Sequence, residues 1–94
     1  MTNQAKRCLL DTARILATAD VPHIFTPELA DALCDLPDGH AYRTVSRDAL
    51  LAMLTDALGP SRRMRGQTLG GQLASGFGRD AAPILATAAE LLAA

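Results

Sequence analysis

Apolar residues recur at steps of three and four along the first part of the chain. Between residues 3 and 19 the recurring positions are Ala5, Cys8, Leu9, Thr12, Ala13 and Leu16. This spacing predicts a helix with one buried side. Val21-Pro22 ends the helix, because the residue before a proline avoids the helical conformation. Residues 21 to 25 then predict one short strand, since Ile24 and Phe25 favour extended structure.

A second helix is predicted from residue 26 to residue 36. We expect Thr26 to cap it, Pro27 to fit its first turn and Glu28 to complement its positive N-terminal dipole. The predicted buried stripe of this helix consists of Leu29, Leu33 and Leu36. Residues 37 to 45 are predicted to be a linker that begins with a Pro-Asp-Gly turn.

Two more helices are predicted, from 46 to 58 and from 80 to 93. Ser46 is expected to cap the first of them and Gly59-Pro60 to end it, while Asp80 is expected to cap the second. The apolar face of the third helix comprises Leu50, Met53, Leu54, Ala57 and Leu58. The apolar face of the last helix comprises Ile84, Leu85, Ala88, Leu91 and Leu92.

The helical period fails between residues 61 and 77. The segments SRRMR and QLASGF are compatible with strands, and GQTLGG between them supplies a turn. This pattern predicts a β-hairpin over residues 61 to 77.

The element order α-β-α-α-β-β-α predicts a mainly α chain with a small β-hairpin, an α+β class. A helix pair followed by an arginine-bearing hairpin is typical of a winged helix-turn-helix. With 94 residues, the chain is long enough for one core, so we expect a single winged-helix domain over residues 1 to 94.

The sequence also resembles a winged-helix module found at the C-termini of mobile-element proteins. These are plasmid and phage primase/helicase-type proteins and conjugative DNA translocases. The residues that match are Thr26, Glu28 and Leu29, then Leu50, Leu54, Leu58 and Gly59, then Gly76, Phe77, Arg79 and Asp80. The resemblance implies a winged-helix fold and a role in plasmid or phage DNA handling or regulation.

Charge is unevenly distributed along the chain. Residues 43 to 79 carry six arginines against two aspartates, a net charge of +4, whereas residues 1 to 42 carry three basic residues against six acids, a net charge of −3. Because the whole chain has a formal charge of only −1, a nucleic-acid interface requires this segregation.

Five arginines are the candidate contacts to double-stranded DNA: Arg43, Arg47, Arg62, Arg63 and Arg65. In a strand, Arg63 and Arg65 point to one face and Arg62 to the other. Paired guanidinium groups beside a glycine-rich turn suit phosphate binding. The alternative is a solvated arginine cluster, or ion pairs with acids of the second helix.

The third helix is a poor reader of bases. Its outward face is expected to carry Asp48 and Asp56, which repel phosphate, and no Asn, Gln or Lys. The same face carries Leu51, Ala52 and Thr55, which are the candidate contacts to a protein partner or a second copy of the chain. Acidic residues 28, 31, 35 and 38 offer a second surface, for a basic partner.

No motif indicates catalysis, a cofactor, a metal site or a small-molecule substrate. His23 and His40 lack metal-ligand spacing, and no serine has a nucleophile context. Cys8 and Cys34 are interpreted as small buried residues, with a disulfide as the alternative, which favours a reducing, cytoplasmic compartment. No apolar run approaches the ~20 residues of a membrane span. We therefore expect a binding module and not an enzyme.

Overall fold

The computed structural model describes residues Met1 to Ala94 as five helices and a three-stranded antiparallel sheet. The helices are α1 (Asn3–Ala19), α2 (Thr26–Asp35), α3 (His40–Arg43), α4 (Arg47–Leu58) and α5 (Ala81–Ala93). The strands are β1 (His23–Phe25), β2 (Arg62–Gln67) and β3 (Leu73–Asp80). The predicted α+β class is confirmed, but the chain has one helix more than the predicted order.

The sheet has the order β1-β3-β2, so that β3 pairs on both sides. In the hairpin, β2 and β3 pair from Arg62 opposite Gly78 to Gln67 opposite Leu73. The predicted hairpin ended at residue 77, which was wrong, since β3 continues to Asp80. The reason is β1, whose three residues pair with the last three of β3 and thereby extend it.

The core lies where α1 packs against α4 and α5. All six apolar-face positions predicted for α1 are buried, as are Leu29 and Leu33 of α2. In α4, Leu50, Met53, Leu54 and Ala57 of the predicted stripe are buried, and Leu58 is half-buried. In α5 only Ile84 and Ala88 of the predicted face are buried, and Leu92 is 74% exposed.

Helix α3 occupies the segment predicted to be a linker. Its Tyr42 side chain is buried, and the hydroxyl group donates to the buried carboxylate of Asp11 in α1. Burial and this hydrogen bond raise the pKa of Tyr42. Arg7 and Arg14 lie 3.8 and 3.5 Å from the Asp11 carboxylate. A single buried aromatic residue thus fixes a turn that has no apolar period of its own.

Of the three predicted helix caps, only Ser46 makes a capping hydrogen bond. The Ser46 hydroxyl accepts from the Ala49 N–H group at the start of α4, as predicted. Thr26 is not a cap, since Phe25 occupies the cap position and the Thr26 hydroxyl faces Arg79. Asp80 occupies the cap position of α5 but makes no capping hydrogen bond, because its carboxylate binds Arg62.

Both cysteines are free thiols. Cys8 is fully buried, as predicted, and burial raises its pKa to about 11. Cys34 is only half-buried, and its thiol lies 3.7 Å from the Tyr42 carbonyl oxygen. None of the five helices has the length and hydropathy needed to cross a bilayer.

Gly78 is the point of closest approach between the three strands. A Cβ atom at this position would lie 2.5 Å from the Ile24 carbonyl oxygen and 2.8 Å from the Met64 sulfur. Neither distance is compatible with a side chain, so the sheet requires glycine here.

Replacing Gly78 with alanine therefore tests the close packing of β3 against Ile24 and Met64. We expect Gly78→Ala to destabilise the protein by about 1–3 kcal/mol through overpacking. The matched control is Gly70→Ala in the hairpin turn, where the nearest atom lies 3.8 Å from the added Cβ. Urea unfolding measures both variants, and equal midpoints for the two would contradict the close approach.

Candidate nucleic-acid interface

The hairpin has two chemically different faces, because successive side chains of a strand point to opposite sides. One face is exposed throughout and is called the hairpin face here; its members are Arg63, Arg65, Gln67, Leu73, Ser75 and Phe77. The opposite face, between Met64 and Gly78, is mostly half-buried or buried. The predicted separation of Arg63 and Arg65 from Arg62 follows from the same alternation.

Arg63 and Phe77 form the central pair of the hairpin face. They stand directly opposite each other on β2 and β3, and the guanidinium carbon lies 5.3 Å from the ring centroid. This is a cation–π contact at an exposed position, since 52% of Phe77 is accessible. Phe77 is not among the five residues predicted to contact DNA, and the strand register brings it opposite Arg63.

Arg65 lies next to this pair, opposite Ser75. It is exposed and makes no ion pair or hydrogen bond within the chain. Among the five predicted DNA contacts, Arg63 and Arg65 are therefore the two that the structure places side by side without a carboxylate partner.

Arg62 is committed to a different task. Its guanidinium group donates to both carboxylate oxygens of Asp80, at 3.0 and 2.7 Å. The hydrogen bond and charge of Arg62, with a further contribution from His23, lower the pKa of Asp80. This two-pronged ion pair joins the start of β2 to the end of β3. Arg62 would have to leave Asp80 to bind a phosphate, and its contact with DNA stays a prediction.

Arg43 is also committed to the fold. Its guanidinium group donates to the carbonyl oxygens of Cys34 and Leu36 at 2.7 and 2.9 Å. Carbonyl groups at the end of a helix lack donors within the helix, and the Arg43 guanidinium acts as a donor at the end of α2. Arg43 would have to give up these hydrogen bonds to bind a phosphate, and its contact with DNA stays a prediction.

Arg47 retains more freedom than Arg43. Its guanidinium lies 3.5 Å from the Asp31 carboxylate of α2, with 52% and 73% of the two side chains exposed. An ion pair this exposed contributes little and exchanges easily with another anion. Arg47 therefore also remains accessible to an external anion.

Arg79 accounts for one further positive charge in the basic half of the sequence. It is only 6% exposed and donates two hydrogen bonds, of 3.1 and 3.0 Å, to the carbonyl oxygen of Gly59. Burial lowers the pKa of this guanidinium, which nonetheless keeps its charge. The segregated charge of residues 43 to 79 is therefore partly internal.

Helix α2 links the turn of the hairpin to the start of α4. The Glu28 carboxylate accepts from the N–H group of Leu69 in the turn at 2.9 Å, and Asp31, one helical turn later, pairs with Arg47. Residues three apart lie on the same side of a helix, so Arg47 and the hairpin turn lie on the same side of α2. Four acidic residues were predicted to meet a basic partner. Glu28, Asp31 and Asp38 each bind another part of the chain, and Asp35 does not.

The outward face of α4 has the composition that the sequence predicts. Leu51, Ala52 and Thr55 are exposed, and so are Asp48 and Asp56. The Thr55 hydroxyl donates to the Leu51 carbonyl oxygen within the helix. This surface offers a phosphate two repulsive charges and offers a base no paired donor and acceptor.

Comparisons with models of protein families, with curated proteins and with solved structures found no match to this chain. No group of His, Cys, Asp or Glu side chains is arranged to hold a metal ion. The class that the structure itself defines is a small α+β domain with a three-stranded sheet, whose exposed hairpin face is cationic and partly aromatic.

The Arg62–Asp80 pair makes hairpin stability depend on pH. The folded pKa of Asp80 lies below the ordinary value of about 3.9. The pair therefore stabilises the fold at pH values above the ordinary pKa of an aspartate. This stabilisation is lost as the pH falls through the lowered pKa of Asp80.

We expect Asp80→Asn to lower the urea midpoint at pH 7, with the difference from wild type shrinking towards pH 3. Unfolding followed by circular dichroism at several pH values measures this. Asp48→Asn, at an exposed aspartate without an ion-pair partner, is the control. If the difference in urea midpoint between Asp80→Asn and wild type does not change with pH, the charge of Asp80 is not what stabilises the fold.

Proposed function

We propose that this chain is a winged-helix module that binds DNA through the phosphates, with the hairpin as its wing, and that it is not an enzyme. The observation that carries the proposal is the pair of exposed, carboxylate-free arginines on the hairpin face, Arg63 and Arg65. Guanidinium groups bind phosphate through directed, charge-assisted hydrogen bonds.

The topology supports the winged-helix assignment. Helices α2 and α4 follow the short strand β1, and the two long strands form a hairpin that pairs with β1 in the order β1-β3-β2. The short helix α3 lies in the connection between α2 and α4. A role in plasmid or phage DNA handling remains the hypothesis that the sequence resemblance suggests.

The set of contact residues proposed here is smaller than the set predicted from sequence. Arg63 and Arg65 contact the phosphates, and Arg47 joins them by exchanging the Asp31 carboxylate for a phosphate. Two to three neutralised phosphates give a salt slope of about −1.8 to −2.7 in log affinity against log salt. Such a module binds DNA without reading its sequence, since α4 carries no base-reading side chains.

The proposal predicts salt-sensitive binding to random duplex DNA. We expect the affinity to fall roughly 10- to 40-fold between about 50 and 200 mM salt, and Arg65→Glu to weaken binding further at the lower salt. Fluorescence anisotropy with a labelled duplex measures both effects. The matched control is Lys6→Glu on α1, an exposed residue that changes the net charge equally.

Equal binding by the Arg65→Glu and Lys6→Glu variants would mean that net charge and not the hairpin face attracts DNA. Unchanged binding by Arg43→Gln and Arg62→Gln proteins, once their folding is verified, would agree with the internal roles of those arginines.

A second candidate function is contact with a protein partner or a second copy through α4. The observation that favours it is the exposed apolar surface around Leu51, which is 36% exposed beside Ala52 and Thr55. Apolar side chains grouped on a helix face are common in interfaces between proteins.

This candidate predicts that Leu51→Glu abolishes assembly. Light scattering on the wild-type chain should then give a mass above the 9.9 kDa of one chain, and the variant should return to that mass. Ala82→Glu, at an exposed position of α5, is the control. A wild-type mass of one chain across the accessible concentrations excludes self-association through α4.

A further inference from the structure

The hairpin face carries more than positive charge. Besides Arg63 and Arg65 it exposes two large apolar side chains, Phe77 at 52% and Leu73 at 80%. Phosphate binding alone gives no use for either side chain, and exposing them to water is unfavourable. The proposed function therefore leaves the exposure of these two side chains unexplained.

Phe77 and Arg63 each present a planar group on the hairpin face. The ring and the guanidinium group lie against each other at 5.3 Å, on neighbouring strands of the hairpin. Nucleic-acid bases stack on aromatic rings and on guanidinium planes alike. Such stacking requires one free face of a base. Neighbouring base pairs cover both faces of a base inside a duplex, whereas bases of a single strand can unstack and expose a face.

The outward face of α4 beyond Arg47 disfavours a duplex. Asp48 and Asp56 lie exposed on the outward face of α4, and Asp31 lies beside Arg47. A duplex that covered both elements would bring its phosphates towards these carboxylates. The hairpin face itself is a narrow strip, with six paired residues of β2 spanning roughly 20 Å, which suits one strand.

We propose that the hairpin face binds single-stranded DNA, with one base stacked on the Phe77–Arg63 pair and a neighbouring phosphate held by Arg65. Leu73, farther along the same face, provides apolar contact for the next nucleotide. The inference rests on the proposed function in that it uses the same arginines, and it narrows the ligand from DNA in general to DNA with unstacked bases.

The chain contains no tryptophan, so one substitution provides a direct reporter. In Phe77→Trp the only indole lies at the proposed stacking position. We expect a thymidine oligomer of about ten nucleotides to quench its fluorescence, because stacked bases quench indole emission. Inorganic polyphosphate, which offers phosphates without bases, should bind the arginines and leave the emission nearly unchanged. Equal quenching by both polymers would overturn the stacking proposal.

Binding constants provide the second arm of the test. We expect Phe77→Leu, which keeps an apolar side chain without a ring, to lower affinity for the single strand about tenfold. Its affinity for duplex DNA should stay within about twofold of wild type, and Leu69→Ala in the hairpin turn is the control. Circular dichroism and urea unfolding confirm that both variants fold.

The two proposals fail in different ways. If no nucleic acid binds with salt sensitivity, the proposed function is wrong. If DNA binds but Phe77→Leu weakens single strand and duplex equally, or neither, then phosphate binding stands and base stacking is wrong.

Discussion

The buried guanidinium group of Arg79 determines where the hairpin lies. It donates to the carbonyl oxygen of Gly59, just beyond α4, and faces the Thr26 hydroxyl at the start of α2. Gly59 has a φ of 81°, a conformation that favours glycine, and its carbonyl oxygen accepts both hydrogen bonds. A charged group this deeply buried must keep its partners. The base of β3 is therefore held against two helix ends, while the rest of the same strand face extends into solvent.

The arginines of the basic half divide into two groups by position. Three of them bind within the chain. Arg43 donates to carbonyl oxygens at the end of α2, Arg62 pairs with Asp80, and Arg79 donates to the Gly59 carbonyl oxygen. Arg63 and Arg65 lie on the exposed face of the hairpin, where Arg63 contacts the ring of Phe77. The surface left for a ligand is thus smaller and more apolar than the total charge indicates, and its chemistry suits a nucleic acid that offers bases as well as phosphates.

The hairpin also makes hydrogen bonds to α2 and to β1 near its turn. Glu28 accepts from the hairpin turn at Leu69, and the His23 ring lies 3.0 Å from the Gln67 carbonyl oxygen. Both contacts join elements more than 40 residues apart in the chain. They join the end of β2 to β1 and the hairpin turn to α2.

Much of the helical framework follows from sequence, because periodic burial of leucine and alanine requires only local geometry. The buried faces of α1 and α4 and the cap at Ser46 are of this kind. The roles of Thr26, Arg62 and Asp80 are not, since each depends on a partner brought close by the sheet. Helix α3 likewise exists through Tyr42 and Asp11, which are 31 residues apart. Sequence alone therefore determined which segments are helical or extended, whereas tertiary structure decided which charges are internal and which remain free for a ligand.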